Sequence, residues 1–434
     1  MSRVVRLFRG EVFYFISSPL ESKDSYCYYP DGALLVSDGK VADSGPYETL
    51  HARYPSVPET DYSGKLIMPG FIDSHIHYSQ SEIIGMHGCQ LLDWLNDYTY
   101  PAEEAFSSRE HAEKTARFFI HELLKNGTTT CMAYATVHPE SVDALFTIAS
   151  EYDMCMLTGK VLMNRNAPKG LLDSTEKGEA DTRRLIEKWH GKGRNRYVIT
   201  PRFAITCTLD QLESAGRLHA EYPDTYIQTH LSENRDEIDS VLSLYPGHSD
   251  YLEVYERTGL MTDRTVFGHC IHLSKEECKR LASAGATIAH CPTSNLFLGS
   301  GLFNMSLANT FAIKTTLATD VAGGTSFSMF RTMGEAYKVQ QLNGYPVSAL
   351  ELLYKCTLGS AKALHLEDKI GSFTPGSDAD FIVVDYASTD SQQLRKEYLQ
   401  RTNNWNIENK LFGLQILGDD RAITATYLTG KQVL

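Results

Sequence analysis

Eight short apolar runs, each followed by helix-forming sequence, lie between residues 66 and 319, and this alternation limits the folds open to the chain. The runs cover residues 66–73, 128–135, 154–163, 197–205, 225–231, 265–271, 287–290 and 314–319. Helix signals sit between them. Ser107-x-x-Glu110 caps a predicted helix over 108–125 that stops at Asn126-Gly127, and Ser274-x-x-Glu277 precedes another over 275–283. Eight β-α units in roughly 250–300 residues match a (β/α)8 barrel. A doubly wound open sheet would need a glycine-rich phosphate loop after its first strand, and the sequence has none there.

The two ends read differently. Short strands and turns are predicted at residues 4–7, 11–17, 33–37 and 40–44, with Asp38-Gly39 as a hairpin signal. The same style returns at 380–384 and 423–428, where Thr429-Gly430-Lys431 makes a turn. The expected fold is therefore α/β: a TIM-type barrel over 66–370, with a small β-sandwich domain built from 1–65 and 371–434.

A formal charge of -13 without any basic run argues against a nucleic-acid partner. No apolar stretch reaches about 18 residues, so no membrane span or membrane partner is expected. The start, Met1-Ser2-Arg3, leads into no apolar core or cleavage site of a signal peptide. The nine cysteines include no Cys-x-x-Cys pair. Cys131, Cys155, Cys207, Cys270 and Cys291 lie in or beside apolar runs, as buried free thiols do. A cytosolic protein is expected.

A barrel of this kind carries its chemistry at the C-terminal ends of its strands. The first run ends in Asp73-Ser74-His75-Ile76-His77, and alternation sends both histidines to one side. Alone, such a pair is more often ordinary polar sequence at a strand terminus, because a metal needs three or four ligands. Other run ends add to it. Thr200-Pro201-Arg202-Phe203 follows the fourth strand, and Thr229-His230 ends the fifth with Glu233 three residues on. Gly268-His269 ends the sixth and Thr319-Asp320 the eighth. Four histidines, an aspartate and a glutamate thus gather on one face.

This constellation resembles the metal-dependent amidohydrolase superfamily. The resemblance rests on Pro69-Gly70-Phe71-Ile72-Asp73-x-His75-x-His77, on His230, His269 and Asp320, and on Gly371-x-Phe373-x-Pro375-Gly376-x-Asp378-Ala379-Asp380-Phe381. Closer motifs are similar to the branch that acts on guanine. They are His75-x-His77-x-x-Gln80-Ser81-Glu82, Thr200-Pro201-Arg202-Phe203-Ala204, Thr229-His230-Leu231-Ser232-Glu233-Asn234, Cys291-Pro292-Thr293-Ser294-Asn295 and Phe297-Leu298-Gly299-Ser300-Gly301.

The resemblance implies that His75, His77, His230 and Asp320 hold one divalent metal per chain. Zinc is the expected ion, although iron accepts the same donors. It further implies that water activated by the metal attacks C2 of guanine, giving xanthine and ammonia. Glu233 would shuttle the proton, while Asp320 and His269 activate the water. Gln80, Arg202 and Phe203 would bind the purine together with His230, Glu233 and Asp320. A homodimer is implied as well. A hydrolase on the same scaffold acting on 8-oxoguanine, a triazine or a pterin would carry the same metal and acid-base residues. The small zinc deaminase fold is excluded, since the sequence has no Pro-Cys-x-x-Cys.

Several other residues have plainer readings. His272 and His290 lack partners at metal-ligand spacing and are expected to be structural. Lys160, at the end of the third strand, could carry a metal-bridging carbamate only in a two-metal relative. Cys291 offers a ligand but is expected behind the ligands, and Trp94 is expected in the core, with lining of the pocket as the alternative.

Overall fold

The computed structural model describes residues 5–87 and 90–434. Val4, expected to open the first strand, lies outside the described residues.

Eight parallel strands form the barrel in sequence order: Phe71–His77, Thr128–Tyr134, Cys155–Gly159, Arg196–Pro201, Tyr226–Leu231, Thr265–His269, Thr287–His290 and Lys314–Leu317. A two-residue strand, Val161–Leu162, adds to Arg196–Pro201. The first and last strands meet past their ends, where the Asp320 N–H donates to the His75 carbonyl and the His77 N–H to that of Val321, both at 3.0 Å. This seam places His75, His77 and Asp320 side by side.

The expected first strand over 66–73 is two strands. Leu66, Ile67 and Met68 end the strand Glu59–Pro69, which belongs to the other sheet, and the barrel begins at Phe71. Gly70 separates them in a place too tight for any side chain, because a Cβ there would stand 2.2 Å from Thr129 Oγ1. Two smaller differences concern boundaries. The fourth strand stops at Pro201, since proline fixes φ and offers no N–H to continue the ladder. The helix Arg109–Lys125 is capped by Ser108, whose side chain accepts from the His111 N–H, rather than by Ser107. The predicted Ser274–Glu277 capping box is present.

Both chain ends join one seven-stranded sheet, ordered Lys431–Gln432, Ile423–Leu428, Phe381–Val384, Glu59–Pro69, Val5–Phe15, Tyr26–Ser37 and Lys40–Pro46. Ile382 pairs with Met68 across the junction of the two ends. Phe381 stacks on Tyr427 at 4.3 Å and meets Phe8 edge-on at 4.9 Å, which builds a separate aromatic core on this sheet. The C-terminal part also contains two helices that the sequence reading missed, Asp390–Arg401 and Ile407–Leu417. The second packs on the barrel helices Met329–Leu342 and Ala349–Tyr354 and sends buried Lys410 to Glu11 at 2.8 Å. Covered on several sides, it shows no single apolar stripe to reveal it. Among the described residues, no helix is long and apolar enough to cross a membrane.

Candidate active site

The barrel mouth brings four imidazoles and two carboxylates together in one buried cluster. His75 and His77 reach it from the first strand, His230 from the fifth, His269 from the sixth, and Asp320 from the turn after the eighth. Asp320 Oδ1 lies 3.4 Å from His75 Nε2 and 3.3 Å from His77 Nε2. His230 Nε2 is 3.3 Å from His77 Nε2. His230 Nδ1 donates to the Arg202 carbonyl at 2.7 Å, which leaves Nε2 as the lone-pair nitrogen facing the cluster. Tyr134 stacks on His77 at 4.3 Å and fixes its plane.

The cluster fits a divalent cation. Both ring nitrogens of His75 and Nδ1 of His77 are buried without a hydrogen-bond partner among the described residues. Buried polar atoms of this kind normally have one. Donor atoms of His75, His77 and His230 lie within 4.8 Å of one another, and so do those of His75, His269, Cys291 and Asp320. Burial pushes His77 down to about 3, so its ring is neutral and able to ligate. Burial works against an ionised Asp320, yet the adjacent His75 and His77 rings hold its carboxyl well below the usual range. The turns that present these groups are strained. His269, Cys270, Asp320 and Ser232 have φ of 68°, 53°, 51° and 50°, in the left-handed region that non-glycine residues rarely occupy.

Glu233 forms the acid-base side. Its Oε2 is 3.4 Å from His269 Nε2, and that nitrogen is 3.6 Å from Asp320 Oδ2. His269 Nδ1 is tied to Asn295 Oδ1 at 2.8 Å, so the ring presents Nε2 between the two carboxylates. Ser300 Oγ donates to Glu233 Oε1 at 3.0 Å. The Glu233 N–H donates to Glu237, whose carboxyl closes the capping box of the helix Arg235–Leu244. Burial, followed by the charge of Asp320, raises the Glu233 carboxyl to about 8. A carboxyl in that range holds a proton at neutral pH.

The third side is a cavity lined by Gln80, Leu91, Trp94, Leu95, Arg202 and Phe203, continuous with the cluster. Every residue proposed from the sequence as ligand, acid-base group or substrate contact borders this cavity except His75, which lies behind His77 and Asp320. Trp94 packs in the core. It also lines the cavity, because residues 78–87 and 90–107 fold over the barrel mouth as short turns of helix instead of passing outside it. The same segment supplies Glu103, whose carboxylate accepts from Arg202 Nη1. The sequence reading missed Glu103, Ser300 and Asn295 as individual groups. The last two sit inside motifs that were noticed, whereas nothing marks Glu103 among its neighbours.

The plain readings of other residues fit their surroundings. Lys160 is buried against Asp173 and donates to the Val161 carbonyl at 3.2 Å. His272 Nε2 bonds to the Ser300 carbonyl at 2.9 Å. Cys291 Sγ donates to the Ala289 carbonyl at 3.4 Å.

A model of the amidohydrolase family matches residues 66–433, and one of an imidazolonepropionase-like composite domain of bacteria matches residues 32–56. The chain is similar to guanine deaminase of Escherichia coli (strain K12), with 49% identity over 419 residues, 96% of this chain and 94% of that one. The solved E. coli guanine deaminase covers 99% of both chains with a TM-score of 0.94 at 47% identity. A structure of guanine deaminase from C. acetobutylicum with bound guanine in the active site has a TM-score of 0.89 at 31% identity, covering 99% of this chain and 100% of that one.

Proposed function

The chain belongs to the amidohydrolase family, and from that premise we propose that it hydrolyses the exocyclic amine of guanine, giving xanthine and ammonia. The observation that carries this reading is the joining of two half-sites in one cavity. A cluster of imidazoles and Asp320 stands next to Glu233, and Gln80 and Arg202 face the same space. A purine placed there has donors and acceptors for its edge and acid-base groups for its amine-bearing carbon.

His75, His77, His230 and Asp320 are the residues that would hold the metal. Three imidazoles and one carboxylate suit zinc, with a position left for water. When bound, the metal lowers the pKa of that water toward about 7. The chain's own groups move the protons. Asp320 Oδ2 takes a proton from the attacking water, and His269 Nε2, held by Asn295, hydrogen-bonds that water and orients it. The Glu233 carboxyl gives a proton to the ring nitrogen beside C2 and then serves the leaving amine. Arg202 donates to O6, Gln80 offers a donor and an acceptor to the purine edge, and Phe203 packs on the ring. Leu91, Trp94 and Leu95 exclude bulk water from the cavity.

The test is ammonia release from guanine by wild type and Glu233→Gln, with zinc quantified in both. A general acid-base group contributes about 10²–10⁴ in rate, so turnover is expected to fall by that factor with metal retained. Wild-type protein that holds zinc and releases no ammonia from guanine, but does so from 8-oxoguanine or ammeline, would assign the site to another ring.

A further inference from the structure

Glu103 sits in the short helix Tyr100–Glu104, fully buried, and does not itself border the substrate cavity. Both of its carboxylate oxygens accept from Arg202 Nη1, at 2.8 Å each, and Oε1 also accepts from Gln80 Nε2 at 3.3 Å. One carboxylate therefore holds both polar residues that face the purine edge. Tyr100, from the same helix, sets its ring 5.7 Å from the Arg202 guanidinium. Burial alone would lower the guanidinium, and Glu103 keeps it above its ordinary value, so a buried charged donor borders the cavity.

We propose that Glu103 is the positioning residue that makes this site selective for purines with an oxygen at C6, through its simultaneous hold on Arg202 and Gln80. The inference rests on guanine as the substrate.

Only Nη1 of Arg202 is engaged; Nε and Nη2 make no hydrogen bond among the described residues, so they are the donors left for O6. A guanidinium without Glu103 would have two other carboxylates within the same cavity, Glu233 and Asp320. A shift toward either would remove the donor from the ring oxygen and neutralise groups that carry protons. Glu103 thus keeps recognition and proton transfer on separate carboxylates. A fixed buried donor also discriminates strongly, because a purine without the 6-oxygen leaves it unpaired.

Glu103→Gln keeps the shape but gives Arg202 a neutral partner, and Glu103→Asp keeps the charge on a shorter stem. Binding of hypoxanthine, which has the 6-oxygen and no 2-amine, and of purine, which lacks the oxygen, is measured by calorimetry, alongside KM and kcat for guanine, metal content and Tm. Glu103→Gln is expected to weaken hypoxanthine and to raise the guanine KM by about tenfold or more, with purine changed less than about twofold. Glu103→Asp is expected to recover part of that loss. Equal weakening of both ligands, or no weakening of hypoxanthine in either variant, would overturn the assignment. A wild type that prefers hypoxanthine over purine yet releases no ammonia from guanine would instead overturn the reaction and leave the role of Glu103 standing.

Discussion

Gly268 leaves the space that the His75 ring occupies: a Cβ at Gly268 would stand 2.5 Å from His75 Cε1 and 3.0 Å from Nδ1. Real Cβ atoms do not approach this closely, and His75 is fully buried with no free direction in which to retreat. Gly268→Ala is therefore expected to rotate or displace the ring while leaving every ligand in the chain. Loss of ligand orientation typically costs 10–100-fold in metal affinity, and competition with a calibrated chelator would read it. Unchanged affinity in a folded Gly268→Ala protein would mean that His75 is not a ligand.

Nitrogens of His75 and His77 that have no partner among the described residues are atoms that a bound metal would satisfy. Chelation is expected to abolish turnover and to lower Tm by several degrees, with zinc restoring both. A ligand present at about 100 times its Kd stabilises the native state by about 2.7 kcal/mol, and a concentration-dependent Tm is its signature. A Tm indifferent to chelator and to added zinc would count against the assigned ligand set.

The barrel and the gathering of histidines and Asp320 at its mouth were legible because both rest on local rules. Strand alternation sends His75 and His77 one way, and strand ends collect function in this architecture. The first strand was misjudged because Leu66–Met68 and Phe71–Ile72 are equally apolar; only the tertiary pairing of Met68 with Ile382 separates them. The helix Ile407–Leu417 was hidden because its burial on several sides erases the helical stripe. Glu103 could not be read for a different reason. Its importance comes from a partner 99 positions away, and a Glu-Glu pair in a polar stretch looks like solvated surface. Trp94 serves both the core and the cavity, since residues 90–107 fold over the barrel mouth.

Ser300 donates to the carboxyl oxygen of Glu233 that does not face His269, and so sets how the acid is turned. Ser300→Ala removes one neutral hydrogen bond, worth about 1 kcal/mol, which corresponds to about a fivefold loss in kcat. The KM for guanine is expected to change less, because the serine is aimed at the acid. A larger effect on KM than on kcat would place Ser300 in substrate binding instead.

His290 supplies a pH dependence from outside the set of assigned ligands. Its ring is fully buried, both nitrogens lack partners among the described residues, and it lies 4.6 Å from the Phe303 ring. Burial, with Lys355 and His269 adding to it, pushes this imidazole down to about 3. An unfolded histidine takes up a proton below about pH 6.5, whereas the folded one does not until about 3. Between those values the unfolded state binds more protons, so stability rises with pH and is lost as pH falls. One proton of difference is worth about 1.4 kcal/mol per pH unit, or about 2 kcal/mol between pH 6.5 and 5. His290→Leu removes that term. In metal-free protein, the drop in unfolding free energy from pH 7 to pH 5 is expected to be about 2 kcal/mol smaller in the variant than in wild type. Urea midpoints at the two pH values would show it, and parallel losses in both proteins would mean that His290 finds a proton or a partner in the folded state.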